Sequence, residues 1–203
     1  MLRVLMTTLA AVALFGTVPA QTSKVTVPFF GNEACPYSGK PVKKNLFVEE
    51  DGQRVYVCCK KCLKMAKADP KAALAKAYPA DRVKDVGNAT CPIMGGKVKP
   101  GKSVVVQGHR IGLCCPGCAK KVKKNARRTL ARLTMKGVTE LGNKKCLVEK
   151  DDDVDPAIFV VYKKKIVGLC CEDCIEEFSK NPEKYMPKKM LSKGKGSGKG
   201  SRD

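Results

Sequence analysis

Twelve cysteines dominate the chemistry available to this chain, and they fall into three copies of one pattern. Each copy opens with Gly-Asn-x-x-Cys and closes with Cys-Cys-x-x-Cys. The sets are Cys35 with Cys58, Cys59 and Cys62; Cys91 with Cys114, Cys115 and Cys118; and Cys146 with Cys170, Cys171 and Cys174. The double cysteines recur every 56 residues, and no cysteine lies outside the pattern. Thiols grouped this way do one of two things. As thiolates they chelate a soft ion such as Zn²⁺ or Cu⁺; in an oxidising compartment they bridge in pairs. Neighbours such as Cys58 and Cys59 bridge each other poorly, because a planar trans peptide holds their sulfurs in unfavourable geometry. The spacing suits chelation equally well, so both readings stand. A third, thioredoxin-like redox catalysis, needs a βαβ scaffold for which no repeat has room.

Short elements must bring these sulfurs together, and each repeat reads as loop, β-hairpin, helix. In the first, Leu46-Phe47-Val48 and Val55-Tyr56-Val57 flank a Glu50-Asp51-Gly52 turn, and the second strand delivers Cys58. Val104-Val105-Val106, Gln107-Gly108 and Ile111-Gly112-Leu113 repeat the plan. So do Ile158 to Val161, a Lys163-Lys164-Lys165 turn, and Ile166 to Leu169. A helix follows each double cysteine. Ala119, Val122, Ala126, Leu130 and Leu133 share one apolar face at three- and four-residue steps, as do Leu63, Ala66 and Leu74, and Ile175 and Phe178. Pro116 suits a first helical turn, and Asp69-Pro70, Asn125-Ala126 and Asn181-Pro182 break or restart the helices. Cys59 and Cys62, three residues apart at a helix start, point at one ion, and the helix N-terminus favours thiolate. The fold class predicted is α+β, three tandem small treble-clef-like units. A unit of roughly 45 to 50 residues buries too little apolar surface to be secure alone, so a metal or two disulfides must staple it.

At these residues the chain resembles the YHS/TRASH group of small metal-binding domains. Cys91-Pro92-Ile93-Met94-Gly95-Gly96 with Cys114-Cys115-Pro116-Gly117-Cys118 carries the likeness, and Cys170-Cys171-Glu172-Asp173-Cys174 to Tyr185 is similar to the family's closing section. The resemblance implies ligands at Cys91, Cys114 and Cys118, and by the repeat at Cys35, Cys58 and Cys62. It leaves Cys59, Cys115 and Cys171 to supply a fourth thiolate. Ser38, Met94 and Val148 or its neighbours fall where many relatives carry a further cysteine. The third copy departs from the pattern: it lacks the Cys-Pro opening and the glycine, and has one more residue before Cys170. Tighter binding is therefore expected in the first two repeats. The resemblance implies repeats over 31–80, 87–135 and 142–189, with linkers from Ala80 to Val86 and Met135 to Leu141, and a setting of metal capture, delivery or resistance. A spare thiol per site and Met94 favour a soft ion, although Met65 and Met94 read as core fillers.

Outside the repeats, Met1-Leu2-Arg3, the apolar run to Val18 and the small residues to Ala20 form an export signal over 1–20, predicting a periplasmic or secreted protein without a membrane anchor. The Lys-, Gly- and Ser-rich stretch 190–203 reads as a flexible tail. The formal net charge is +21, and Asn88 to Lys136 contains no acidic residue. The basic run Lys120 to Arg128 suits either an anionic polymer or a solvated surface; the disulfide reading would place function on it. Catalysis is not expected: His109 is the one histidine and has no evident acid partner. Asn88-Ala89-Thr90 is a glycosylation sequon only in a eukaryotic secretory pathway.

Overall fold

The computed structural model describes residues 24–188; the expected export signal over 1–20 and the expected tail over 190–203 lie outside the described residues. The fold is α+β, and a hairpin followed by two short helices recurs three times. The first unit comprises β1 (Lys43–Glu50), β2 (Gln53–Val57), α1 (Lys60–Ala68) and α2 (Pro70–Ala77). The second has β3 (Lys84–Asp85), β4 (Ser103–Val106), β5 (His109–Gly112), α3 (Cys118–Lys124) and α4 (Ala126–Thr134). The third has β6 (Thr139–Glu140), β7 (Asp155–Tyr162), β8 (Lys165–Leu169), α5 (Asp173–Lys180) and α6 (Pro182–Tyr185). Among the described residues no helix is long and apolar enough to cross a membrane.

Each hairpin closes on two residues with positive φ: Asp51 and Gly52, Gln107 and Gly108, Lys163 and Lys164. Such left-handed pairs match the twist of the flanking strands. The helices break where local chemistry dictates. Asp69 caps α2 by accepting from the Ala72 N–H at 2.9 Å, and Asn181 caps α6 from Lys184 at 3.3 Å, each followed by proline at the first helical position. Asn125 ends α3 without a side-chain cap. Pro116 lies in the turn ahead of α3 rather than within it, and its carbonyl accepts from Ala119.

Two stretches expected to be plain linkers form part of the sheets. Lys84–Asp85 runs parallel to β5, and Thr139–Glu140 parallel to β8, giving three-stranded sheets in the order β3-β5-β4 and β6-β8-β7. The first unit keeps two strands. At its corresponding position stands Pro28, which has no N–H to donate to a ladder. The chain there goes elsewhere: Thr26 exchanges both backbone hydrogen bonds with Val161 on β7, at 2.9 and 2.7 Å. The start of the first unit thus pairs with the edge of the third.

Three small cores each centre on a cysteine set. A fourth, of Ala131, Val138, Phe159, Val161 and Ile166, is shared between the second and third units, with Phe30 and Met135 against it. The first two units interlock through their turns. Gln107, only 2 % exposed, accepts from the Arg54 N–H, and its Nε2 lies 2.8 Å from the Tyr78 hydroxyl and 3.0 Å from the Phe30 carbonyl. A Cβ on Gly52 would collide with the Lys123 carbonyl. The basic run from Lys120 to Arg128 is therefore divided. Arg127 donates to the Ala157 carbonyl at 2.9 Å and Arg128 pairs with Glu140 at 3.0 Å, both toward the third unit, while Lys120, Lys121 and Lys124 face solvent.

Candidate metal centres

The strand, the helix and a preceding loop meet at one point in every unit. Cys58, Cys114 and Cys170 follow the second hairpin strand; Cys62, Cys118 and Cys174 lie in the first turn of the helix; Cys35, Cys91 and Cys146 come from the loop before the hairpin. In each trio all sulfurs lie within 4.8 Å of one another. The first and last members are buried and the middle one half-buried. The structure thus holds three Cys₃ groups, each placed to bind a metal ion.

The loop cysteine sits in a tight knuckle. The Cys35 N–H donates to the Lys40 carbonyl at 2.8 Å, and the Gly39 N–H returns to the Cys35 carbonyl at 2.8 Å. Cys91 with Gly96, and Gly95 with Cys91, repeat this at 2.8 and 2.9 Å. Gly39 and Gly95 have φ near +70°, a conformation that glycine adopts at little cost. The third unit has no glycine there. It closes with one more residue instead: Lys145 bridges Asp153, whereas Ala34 bridges Pro41 and Thr90 bridges Lys97. The extra residue and the Asp151–Asp153 acidic stretch are absorbed in this wider turn, and Cys146 still joins its trio.

An asparagine in each copy ties loop to strand, a role the Gly-Asn repetition marked but did not explain. Asn32 accepts from the Tyr56 N–H at 2.9 Å, and its Nδ2 donates to the Tyr56 and Ala34 carbonyls at 2.8 Å each. Asn88 does the same with Gly112 and Thr90, and Asn143 with Gly168 and Lys145. Tyr56, Gly112 and Gly168 each stand two residues before the strand-end cysteine. The bracket therefore fixes Cys35 against Cys58, and likewise in the other copies.

The sulfurs differ in their protonation. Burial pushes the Cys35 thiol up, but hydrogen bonds from the backbone at Tyr37, Cys58 and Ser38 and from the Ser38 side chain outweigh it and bring the pKa to about 6. Cys91 likewise falls to about 6, against burial, through the backbone at Cys114, Met94 and Ile93. Cys146 is lowered in the same manner. Burial, with neighbouring thiols, pushes Cys62 and Cys118 up to about 12, and raises Cys174 as well. The first two centres thus present one ready thiolate beside a thiol whose proton a metal must displace, and the third is shifted in the same directions.

The donor set fits a soft ion. Thiolates sharing a tetrahedral zinc at ~2.3 Å lie roughly 3.8 Å apart. Cys58 and Cys62 are 3.8 Å apart, Cys114 and Cys118 3.9 Å, Cys170 and Cys174 3.5 Å. The remaining cysteines lie close too: Cys59, Cys115 and Cys171 stand 3.7, 3.4 and 3.3 Å from Cys62, Cys118 and Cys174. No disulfide joins any of the twelve in this structure. Of the positions compared with a further cysteine, Ser38 brings its side chain to a centre, with Oγ 3.2 Å from Cys58 Sγ, whereas Met94 and Val148 reach Cys91 and Cys146 through their backbone. Val148 packs in the third core. Met94, on the knuckle's outer turn, is 66 % exposed, and Met65, on the outer face of α1, is 47 % exposed, so neither fills a core. His109 bonds the Gln107 carbonyl at 2.7 Å, inside its own turn. The chain matches no known family model, no curated protein and no solved structure.

Proposed function

We propose that this is an exported metal-binding protein of YHS/TRASH type, not a catalyst, whose three cysteine centres hold Zn²⁺ or Cu⁺ for capture, delivery or resistance. The observation that carries this reading is the threefold recurrence of a largely buried Cys₃ trio within 4.8 Å, each tied together by the same asparagine bracket. When bound, the ion supplies the cross-link that each small unit lacks, tying loop, strand and helix at one point. The chain's own groups prepare for it: knuckle amides hold the loop thiolate, the asparagine sets its distance from the strand, and the helix turn presents the last cysteine. Sulfur-only donors select soft ions over hard ones.

Anaerobic purification, elemental analysis and thiol titration test this reading. Three ions per chain are expected, with full thiol reactivity once a chelator removes them. The disulfide-stapled alternative requires the opposite result, no reactive thiol without reductant. The finding of that result, together with metal-free protein, would reject the proposal.

A further inference from the structure

Each centre has a fourth sulfur, and in the first two units that sulfur faces solvent. Cys59 and Cys115 are exposed, whereas Cys62 and Cys118, only 3.7 and 3.4 Å away, are buried. An ion held by the enclosed trio lies beside a thiol that a dissolved ligand also reaches. The surroundings carry a sign. Lys60, Lys61 and Lys64 stand exposed after Cys59, and Lys120 and Lys121 after Cys115. The third centre differs on both counts. Cys171 is half-buried against its core, and exposed Glu172 and Asp173 follow it, Glu172 pairing with Arg54 at 3.3 Å.

Resting on the metal-holding reading above, we propose that Cys59 and Cys115 are exchange ligands. Through them an anionic thiol complex of a soft ion passes its ion to the enclosed trio, and the third centre lacks this port. The step is ligand substitution without change of oxidation state. Cys59 Sγ gives its proton to solvent and bonds to the carrier-held ion; one carrier thiolate leaves and takes up a proton. Cys35 and Cys58 then displace the remaining carrier thiolates, which leave as thiols, and Cys62, giving its proton to solvent, displaces Cys59 Sγ, which takes up a proton again. Every metal–sulfur bond formed replaces one broken, and the exposed lysines speed the encounter with an anionic complex.

The test uses the full chain under anaerobic conditions with Cu⁺ presented as its glutathione complex, and follows thiolate–copper absorption by stopped flow. The Cys59→Ser/Cys115→Ser variant is expected to hold as many ions at equilibrium as the wild type. Its uptake at two of the three centres should slow by about tenfold or more, since exchange depends on thiol access. Cys171→Ser should leave the fast uptake unchanged. Lys60→Glu/Lys61→Glu should slow uptake at the first centre and reduce its dependence on salt, without changing how much copper is held. Unchanged rates in the double cysteine variant overturn the inference, and so does the loss of two ions at equilibrium, which would make Cys59 and Cys115 structural ligands. Wild-type protein that takes up neither copper nor zinc overturns the metal reading itself, a result distinguishable from both.

Discussion

At the scale of single residues, the last cysteine of each set is the hub. Cys62 lies 3.8 Å from Cys58 and 3.7 Å from Cys59, so any ligand set drawn from the strand end includes it. Cys118 and Cys174 hold the same position. Replacing Cys62 with serine should weaken that centre by roughly a hundredfold or more, one ligand's share of the ~10–16 kcal/mol typical of structural zinc. Cys59→Ser should cost less, because Cys59 stands outside the enclosed trio. Competition titration with a chromophoric chelator compares the two, and equal losses would place Cys59 among the structural ligands. Protonation gives a second expectation. With Cys62 pushed up to about 12 and Cys35 brought to about 6, metal binding near neutral pH must release the Cys62 proton but not that of Cys35. Affinity should therefore rise at least about tenfold per pH unit between pH 7 and 8, and more steeply below about 6, where Cys35 also has a proton to lose. A pH-independent affinity would contradict this assignment. The hub position was legible in the sequence, since spacing alone shows that Cys-x-x-x-Cys and Cys-x-x-Cys share their last member. The split in protonation was not, because it comes from knuckle amides that only the folded loop aims at one sulfur.

At the scale of elements, the asparagine bracket is what converts a loop and a strand into a binding geometry. Asn88 makes three hydrogen bonds at 2.8–2.9 Å, to Gly112 N–H and to the Gly112 and Thr90 carbonyls. Asn88→Ala leaves those backbone groups without their partner, at a cost of about 1–3 kcal/mol for each one buried. It also frees Cys91 to drift from Cys114, so metal affinity should fall by about 10–100-fold, as when groups that orient ligands are removed. Urea unfolding of the metal-free protein and chelator competition measure the two effects separately. Loss of stability with unchanged affinity would mean that Asn88 holds the fold without positioning the site. The hairpins and helix breaks were readable because their signals are local: Asp51-Gly52, Gln107-Gly108, Asp69-Pro70 and Asn181-Pro182 dictate backbone within a few residues. The bracket spans 24 residues, and its register depends on where the hairpin places Tyr56 or Gly112. Two elements that look like linkers became strands for a similar reason: Lys84–Asp85 and Thr139–Glu140 have no apolar pattern and pair only because a finished hairpin offers an edge.

At the scale of the whole molecule, three units that read in sequence as tandem repeats are bound together by polar side chains usually assigned to surface. Gln107 stands in a hairpin turn, where a polar residue ordinarily meets water, yet it is 2 % exposed. Its N–H donates to Gln53 at 2.8 Å, its Oε1 accepts from Arg54, and its Nε2 reaches Phe30 and Tyr78. Arg127 and Arg128 turn likewise from a seemingly solvated helix toward the third unit. No periodicity marks such contacts, because they depend on which turn meets which strand after each unit has formed. The Thr26–Val161 pairing and the core around Phe159 link first to third and second to third, so the metal-free chain should unfold in one cooperative transition rather than three. Gln107→Ala isolates the contribution of one junction. It removes no cysteine and no strand residue, but leaves the buried Arg54 N–H and the Tyr78 hydroxyl short of a partner. A loss of about 2–4 kcal/mol is expected, with the transition broadening or dividing as the first unit separates from the other two. Lys124→Ala, whose backbone packs beside Gly52 but whose side chain is exposed, should change stability by less than about 0.5 kcal/mol. Denaturant unfolding followed by far-ultraviolet circular dichroism and by cysteine labelling of each unit reads both variants. A Gln107→Ala chain with wild-type stability and a single sharp transition would show that the junction is not what makes the three centres one molecule.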